Sequence, residues 1–362
     1  LCGGGYEMKI KEEIKKKVKK REDIENWYDE NRDIYKKLID KVKNIINDVL
    51  ENEKITVNSV CGRVKEKDSY CNKALKDKYD KHEEEITDLA GLRIITYINS
   101  DVDRICKIIE EEFCIDKDNS IDKGASLGID KVGYKSVHYV GQLKENRSNL
   151  SEYKLYKNLK FEVQIRTLLQ HAWAEIEHDR NYKFSGVLPK HIKRKFALVA
   201  GSLELIDIQF EEIARDIDAY AKEISENTQE GNLNGILIDS TSLKQYLLNK
   251  FEKQIKEKYI KPEFGANNAS EERIIYELNN FGINTLNELD DMLERYTLNE
   301  FKYQTYLSML RNYMVIDDAE KYFSKCWDNT WSVITNYEVS ILEKYNPNIS
   351  EILAKHHIVI FK

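Results

Sequence analysis

Hydrophobic and polar positions change period several times along this chain, and each change marks an element. Over residues 8–50, Trp27, Ile34, Leu38, Val42, Ile45 and Leu50 recur near 3.6-residue spacing, which predicts an amphipathic helix. Ile55–Val64 reads as β-rich, Asp68–Lys81 as polar helix, and Leu92–Ile98 (LRIITYI) as a strongly β-branched strand. Asp101–Phe113 predicts a helix with Asp101 as N-cap and Val102, Ile105, Ile109 and Phe113 on one side. Asp116–Lys131 holds Gly124 and Gly128 and reads as a mobile loop. Tyr134–Leu143 and Phe161–Arg166 supply further strands, and strands interleaved with helices in this order predict an α/β or α+β domain.

Two periods meet between Phe161 and Lys183. Alternation from Phe161 to Arg166 sends Phe161, Val163 and Ile165 to a core and presents Glu162, Gln164 and Arg166 together on the other face. After Thr167 the spacing turns helical, with His171, Glu175, His178 and Tyr182 along one side. Such a stretch is either the wall of an active site or an edge strand followed by a surface helix.

From Pro189 to about Ser225 the pattern is a long amphipathic helix, in which Phe196, Val199, Leu203, Ile206, Phe210, Ile213 and Ile217 keep a three-or-four spacing. Its expected role is to cap the first domain or to form a homo-oligomer. The polar stretch 226–235 (ENTQEGNLNG) reads as a linker, and residues 236–362 as a mainly helical second domain without a catalytic constellation. Residues 1–7 are expected to be an extension outside the fold, with Met8 as a start. The domain reading is therefore 8–225 and 236–362 around that linker.

Composition narrows the class. With 362 residues, 41% hydrophobic, 33% charged and only 3 Pro, the chain fits a soluble, helix-rich globular protein. No apolar run approaches the roughly 20 residues of a bilayer helix, so no membrane partner and a cytoplasmic location are expected. Six scattered cysteines contain no CxxC pair, against a zinc ribbon or disulfide scaffold. A net charge of -7 gives no global field for nucleic acid. Basic Lys15–Arg21 is balanced by Glu12, Glu13, Glu22 and Asp23.

Four clusters could carry chemistry. Arg63, Lys65, Ser69 and Lys73 lie at a strand end and helix start, where cations and helix amides together suit a polyphosphate. Asp88, just before Gly91 and Arg93, suits a hard metal such as Mg²⁺, or else caps a plain turn. In GYKSVHY (Gly133–Tyr139), alternation turns Tyr134, Ser136 and His138 to one side, an aromatic, a hydroxyl and an imidazole for a base, sugar or phosphate. Glu162 supplies a second carboxylate. Two acids, several cations and a presented Tyr describe a magnesium-dependent nucleotide-transfer site.

Taken in order, RxKxxxSxxxK (Arg63, Lys65, Ser69, Lys73), DLAGLR (Asp88–Arg93), GYKSVHY, EVQIRT (Glu162–Thr167) and WAEIEHDRNYK (Trp173–Lys183) resemble the synthetase domain of the RelA/SpoT alarmone family. The resemblance covers residues 50–185 and leaves the second domain unaddressed. It implies an α+β fold, a mixed, nucleotidyltransferase-like sheet flanked by helices and followed here by a mainly α-helical C-terminal domain. It implies transfer of the β,γ-pyrophosphate of ATP to the 3′-hydroxyl of GDP or GTP. By position, Asp88 and Glu162 would hold Mg²⁺, with Glu162 also drawing the proton from the attacking hydroxyl. Arg63 and Arg93 would sandwich adenine, and Lys65, Ser69 and Lys73 would grip the donor phosphates. Tyr134 would stack on the acceptor base, while His138, Gln164, Arg166 and Lys183 would order the acceptor.

Two departures bear on that expectation. Small synthetases of the family tend to carry Asn or Asp where this chain has His171, so the acceptor base is less fixed than the reaction. Roughly 50 residues before the synthetase are also too few for the hydrolase domain of the long members. The His178-Asp179 dipeptide of such hydrolases lies inside the synthetase motif, and a metal site from His171, Glu175 and His178 is a minor alternative. Alternative functions are a toxin-type relative acting on tRNA 3′ ends or adenine nucleotides, with the C-terminal domain as regulator, and an inactive nucleotide-binding signalling module.

Overall fold

The computed structural model describes residues 4–122, 136–183, 189–265, 269–296, 304–329 and 331–361; the side chains of 4–18, 122, 178 and 180–183 fall outside that description. Two compact units divide the chain, Leu1–Ala214 and Arg215–Lys362.

In the first unit, helix α1 (Gly4–Asn52) leads into β1 (Ser59–Val64), α2 (Lys67–Ala74), β2 (Ala90–Thr96), α3 (Asn99–Glu112), β3 (Phe113–Asp122), β4 (Val137–Leu143), β5 (Phe161–Thr167), α4 (Leu168–Lys183) and the part of α5 (Lys190–Glu230) up to Ala214. The strands form one mixed sheet in the order β1-β2-β5-β4-β3. Only β2 and β5 run parallel; the other neighbours are antiparallel. The alternation read from the sequence holds, because Phe161, Val163 and Ile165 are fully buried in one core with Leu92 and Ile94 of β2. Leu38, Val42 and Ile46 of α1 and Ile105 and Ile109 of α3 complete that core. Each such side chain contributes roughly 1.5–3 kcal/mol on burial. Gly62 lets α1 approach β1 closely, since a Cβ there would overlap Ile39 Cγ2.

Several boundaries differ from the sequence reading. Asp101 is not the N-cap of α3: the helix starts at Asn99 after extended Ile98, and Asp101 sits in its first turn. Residues 116–122, expected in a loop, continue β3 across an irregularity between Asp116 and Ile121. Helix α1 takes in residues 4–7, which were set apart as an extension. Helix α5 runs through 226–230, the first half of the expected linker, and the units divide after Ala214 rather than Ser225.

Val199, Ile206, Phe210, Ile213 and Ile217 of α5, the stripe expected to cap the first domain or to meet a second copy, are exposed in the single chain, while Ala200, Asp207 and Glu211 are buried. Phe196 of that stripe packs edge to face on Trp173, and Leu203 is half-buried.

The second unit is predominantly helical, as expected, with α6 (Ser240–Lys250), α7 (Ala269–Asn280), α8 (Leu286–Glu294), α9 (Tyr306–Lys325), α10 (Asn336–Leu342) and α11 (Ile349–Lys355). Asp239 with Ser242, Thr285 with Glu288 and Thr335 with Glu338 form reciprocal capping boxes that satisfy helix-start amides. Leu243, Tyr246, Leu278, Leu289, Leu310 and Met314 form its core. Within it, buried Glu277 accepts from Arg311 Nε at 2.9 Å and from the Tyr322 hydroxyl at 3.1 Å. Val359–Phe361 pairs in parallel with Val333–Thr335. His356 stacks on Phe323, a structural use of its ring.

Candidate active site

Strand register assembles the site. Gly91 lies opposite Glu162 and Arg93 opposite Gln164 across the parallel β2–β5 pair, while Arg63 lies opposite Gly91 and Cys61 opposite Arg93 across β1–β2. Paired residues share a sheet face, so Arg63, Arg93, Glu162 and Gln164 emerge side by side, opposite the apolar core. A pocket of about 290 Å³ opens over them, lined also by Lys65 and Asp88.

Asp88 precedes β2 and meets two cations: Lys65 Nζ and Lys73 Nζ each stand 2.9 Å from its Oδ2. Burial pushes the Asp88 carboxyl up, but the hydrogen bonds and charges of Lys73 and Lys65 outweigh it and hold the group below its ordinary range. Its other oxygen, Oδ1, is buried and has no hydrogen-bond partner among the described residues. Helix α1 braces the cluster, its Tyr28 hydroxyl donating to the Lys65 carbonyl at 2.7 Å.

Glu162 is held from the other side. His138 of β4 pairs with Gln164 in register and lies diagonal to Glu162, with its Nδ1 2.7 Å from Glu162 Oε1. The Ser136 hydroxyl stands 2.9 Å from His138 Nε2. Burial raises the Glu162 carboxyl, and the bond and charge of His138 more than reverse that, leaving it below the usual carboxylate range. Both acids are therefore anionic at neutral pH.

Farther along β5, Arg166 is buried and donates to Gln164 Oε1, while its Nε has no partner among the described residues. Burial, with the nearby charge of Arg93, lowers Arg166 to about 10. Helix α4 brings Glu175 to Arg93, Nη1 to Oε1 at 3.0 Å. His171 Nδ1 stands 3.8 Å from the same carboxylate, too far for a hydrogen bond, and is buried without a partner among the described residues. Burial and then Arg93 push this imidazole below its ordinary value, so it is neutral near pH 7.

Of the residues anticipated from sequence, Arg63, Lys65, Asp88, Arg93, Glu162 and Gln164 line one pocket; Lys73 joins through Asp88 and His138 through Glu162. Ser69 is exposed on α2, one turn before Lys73, and does not line it. Tyr134 lies outside the described residues, as do the side chains of Lys183 and His178. The sequence reading did not anticipate Glu175 as the partner of Arg93, nor the Thr167–Gln170 cap at the start of α4, although T-x-x-Q is a legible capping signal.

No cluster of three or more metal-ligating side chains occurs among the described residues. Mg²⁺ does not need one, since it takes one or two carboxylates and completes its shell with water and substrate phosphate oxygens. Asp88, with its buried unengaged Oδ1, and Glu162 are hard oxygen donors facing one pocket, and they fit such an ion.

Residues 62–187 match the family described as the region found in RelA/SpoT proteins. The chain is 32% identical over 170 residues to the GTP pyrophosphokinase YjbM of Bacillus subtilis (strain 168), across 46% of this chain and 76% of that protein. It is 27% identical to the GTP pyrophosphokinase YwaC of the same organism, across 43% of this chain and 73% of that one. A crystal structure of the small alarmone synthetase 1 from Bacillus subtilis aligns at 26% identity over 54% of this chain and 98% of that one, with a TM-score of 0.45. The matched segment runs from Gly62, beside Arg63, past the end of α4, and so contains every residue that lines the pocket except Cys61. The chain belongs to the RelA/SpoT family.

Proposed function

We propose that this protein is an ATP:nucleotide 3′-pyrophosphotransferase that moves the β,γ-pyrophosphate of ATP to the 3′-hydroxyl of GDP or GTP, forming (p)ppGpp and AMP. The carrying observation is the facing of two anionic carboxylates, Asp88 and Glu162, across a pocket walled by Arg63, Lys65 and Arg93. Two curated relatives named GTP pyrophosphokinases support the same reading.

In this mechanism the 3′-oxygen attacks the β-phosphorus, the bond to the α-phosphate oxygen breaks, and AMP leaves with that oxygen. Glu162, ionised and oriented by His138, accepts the proton of the attacking hydroxyl. Arg63 and Arg93 flank the adenine, each a cation–π contact worth about 0.5–2 kcal/mol. Lys65 and Lys73 neutralise the donor phosphates from the side of Asp88. Asp88 and Glu162 would hold Mg²⁺, which supplies charge neutralisation at the phosphate oxygens. Gln164, Arg166 and His171 face the acceptor, with Tyr134 and Lys183 assigned there by motif position; Ser69 is assigned to the donor phosphates on the same ground.

A second reading of the acceptor rests on His171. Its neutral ring, with Nδ1 buried and unengaged, offers one donor and one acceptor rather than the pattern of Asn or Asp. The test is an assay with ATP and Mg²⁺ against GDP, GTP, adenine nucleotides and tRNA. AMP and a 3′-pyrophosphorylated guanine nucleotide are expected; product only with adenine nucleotides or tRNA moves the acceptor, and no AMP with any of them overturns the proposal.

A further inference from the structure

Four of the buried polar side chains of the first unit, Thr167, Gln170, Asp207 and Glu211, meet where β5 becomes α4. Thr167 is the last residue of β5 and caps α4: its Oγ1 accepts from Gln170 N at 3.2 Å, and its own amide donates to Gln170 Oε1 at 3.0 Å. The Thr167 hydroxyl has one proton, and it goes to Asp207 Oδ2 of α5 at 2.8 Å. With its proton committed to Asp207, the hydroxyl is fixed in rotation and turns a lone pair toward the Gln170 amide.

The same arrangement reaches α3. Gln170 Nε2 donates to Asn99 Oδ1 at 3.2 Å, and the Ser100 amide donates to Glu211 Oε2 at 2.9 Å. Asp207 and Glu211 are one turn apart on α5, and each sits against the N-terminal end of a different helix, where partial positive charge favours an anion. That accounts for the burial of Asp207 and Glu211 on α5. It also explains why α3 begins at Asn99: the helix start is built around partners from α4 and α5.

The consequence lies in the neighbours of Thr167. Arg166 precedes it on the polar face of β5, and His171 and Glu175 follow it on α4. We propose that Asp207 is a positioning residue for the acceptor wall, locking the strand-to-helix corner at Thr167 so that Arg166 and His171 are held in one mutual geometry. Glu211 supports it by fixing α3 against the same corner. The inference rests on the function proposed above, and it concerns residues to which the family motifs assign no role. Of the donor residues, Arg63, Lys65 and Lys73 lie on β1, just after it and on α2, away from this corner, while Arg93 reaches α4 through Glu175, so the acceptor is affected more than ATP.

The test is a double-mutant cycle of Thr167→Val and Asp207→Ala, with Asp207→Asn as the conservative variant. Each single variant is expected to lower kcat/KM for the acceptor by roughly tenfold, because small misplacements at a reacting centre are costly. The ATP KM stays within about twofold, and the double variant loses less than the sum of the singles, because the Thr167–Asp207 bond is lost only once. Asp207→Asn, which keeps an acceptor for the Thr167 hydroxyl, recovers most of the loss. Additive losses, or an equal rise in the ATP KM, overturn the proposal. Hydrogen exchange decides it separately from turnover: the first-turn amides of α4 should exchange roughly tenfold faster in Asp207→Ala or, if that variant does not fold, in Thr167→Val, with α2 unchanged. Unchanged protection at α4 overturns the positioning claim, whereas absence of product from the unaltered protein overturns only the function.

Discussion

His138 Nδ1 lies 2.7 Å from Glu162 Oε1, and this bond decides which of two opposed effects sets the charge of the carboxylate. Burial alone would raise Glu162; His138 reverses the sign. A group depressed in the folded state contributes stability above its unfolded value, about 4.3 for Glu, and loses it as pH falls through the folded value. Removing the imidazole leaves burial and the charge of Asp88 opposed by Gln164 alone among the causes that act on this group. His138→Ala is therefore expected to move the acid limb of the kcat/KM profile upward and to lower stability at neutral pH. Rate profiles and thermal melts from acid to neutral pH check this, and an acid limb that stays in place contradicts it.

Asp88 differs because it joins two cations to a candidate metal ligand. Asp88→Asn leaves Lys65 and Lys73 without their shared anion and removes a hard oxygen donor. Turnover should fall at least about a hundredfold, with the Mg²⁺ requirement shifted to higher concentration. Lys73→Ala should instead raise the ATP KM and leave the Mg²⁺ response in place. Initial rates over a grid of ATP and Mg²⁺ separate the two, and an Asp88→Asn protein with the original Mg²⁺ response argues against ligation.

The contrast between β5 and α5 explains what the sequence could convey. In β5, strict alternation with Phe161, Val163 and Ile165 left one buried face available, and the structure uses it. In α5, the apolar period was equally clear, but the buried line is Ala200, Asp207 and Glu211. A buried acid has no periodic signature when its partners are a distant hydroxyl and a helix-start amide. Residues 116–122 failed for a related reason: a polar edge strand shows no alternation, and β3 is held by its ladder to β4 and by the Val140 amide donating to Ser120 Oγ at 3.0 Å. The facing of His138 and Glu162, 24 residues apart, needed the β4–β5 register. The chemistry was legible because its residue types occur as a set, while the supports were not, because they are made by tertiary neighbours.

Gly62 gives a test of the packing that carries the donor cluster. A methyl at this position overlaps Ile39 Cγ2, so α1 must move from β1 or Ile39 must change rotamer. Gly62→Ala is expected to cost about 1–3 kcal/mol. The thermal midpoint should fall by several degrees, and the ATP KM should rise because Arg63 is the next residue. An unchanged midpoint would mean that the contact yields without cost.

Arg166 joins stability to function in the opposite sense. Its guanidinium is buried, donates to Gln164, and has an Nε without a partner among the described residues, while burial and Arg93 lower it to about 10. A cation whose folded value lies below its unfolded one is penalised by folding at every pH below that folded value, and the penalty fades only as pH rises through it. At neutral pH the whole penalty is therefore present. Arg166→Met keeps much of the buried stem and removes the charge, which should stabilise the first unit by roughly 1–3 kcal/mol. The same change removes the cation that the proposed function assigns to the acceptor, so the acceptor KM should rise by about tenfold or more while the ATP KM changes little. Denaturant unfolding and two-substrate kinetics on one preparation measure both effects. A destabilised variant would mean that the guanidinium is held by favourable interactions in the free protein, and that its unengaged nitrogen is not reserved for an anionic ligand.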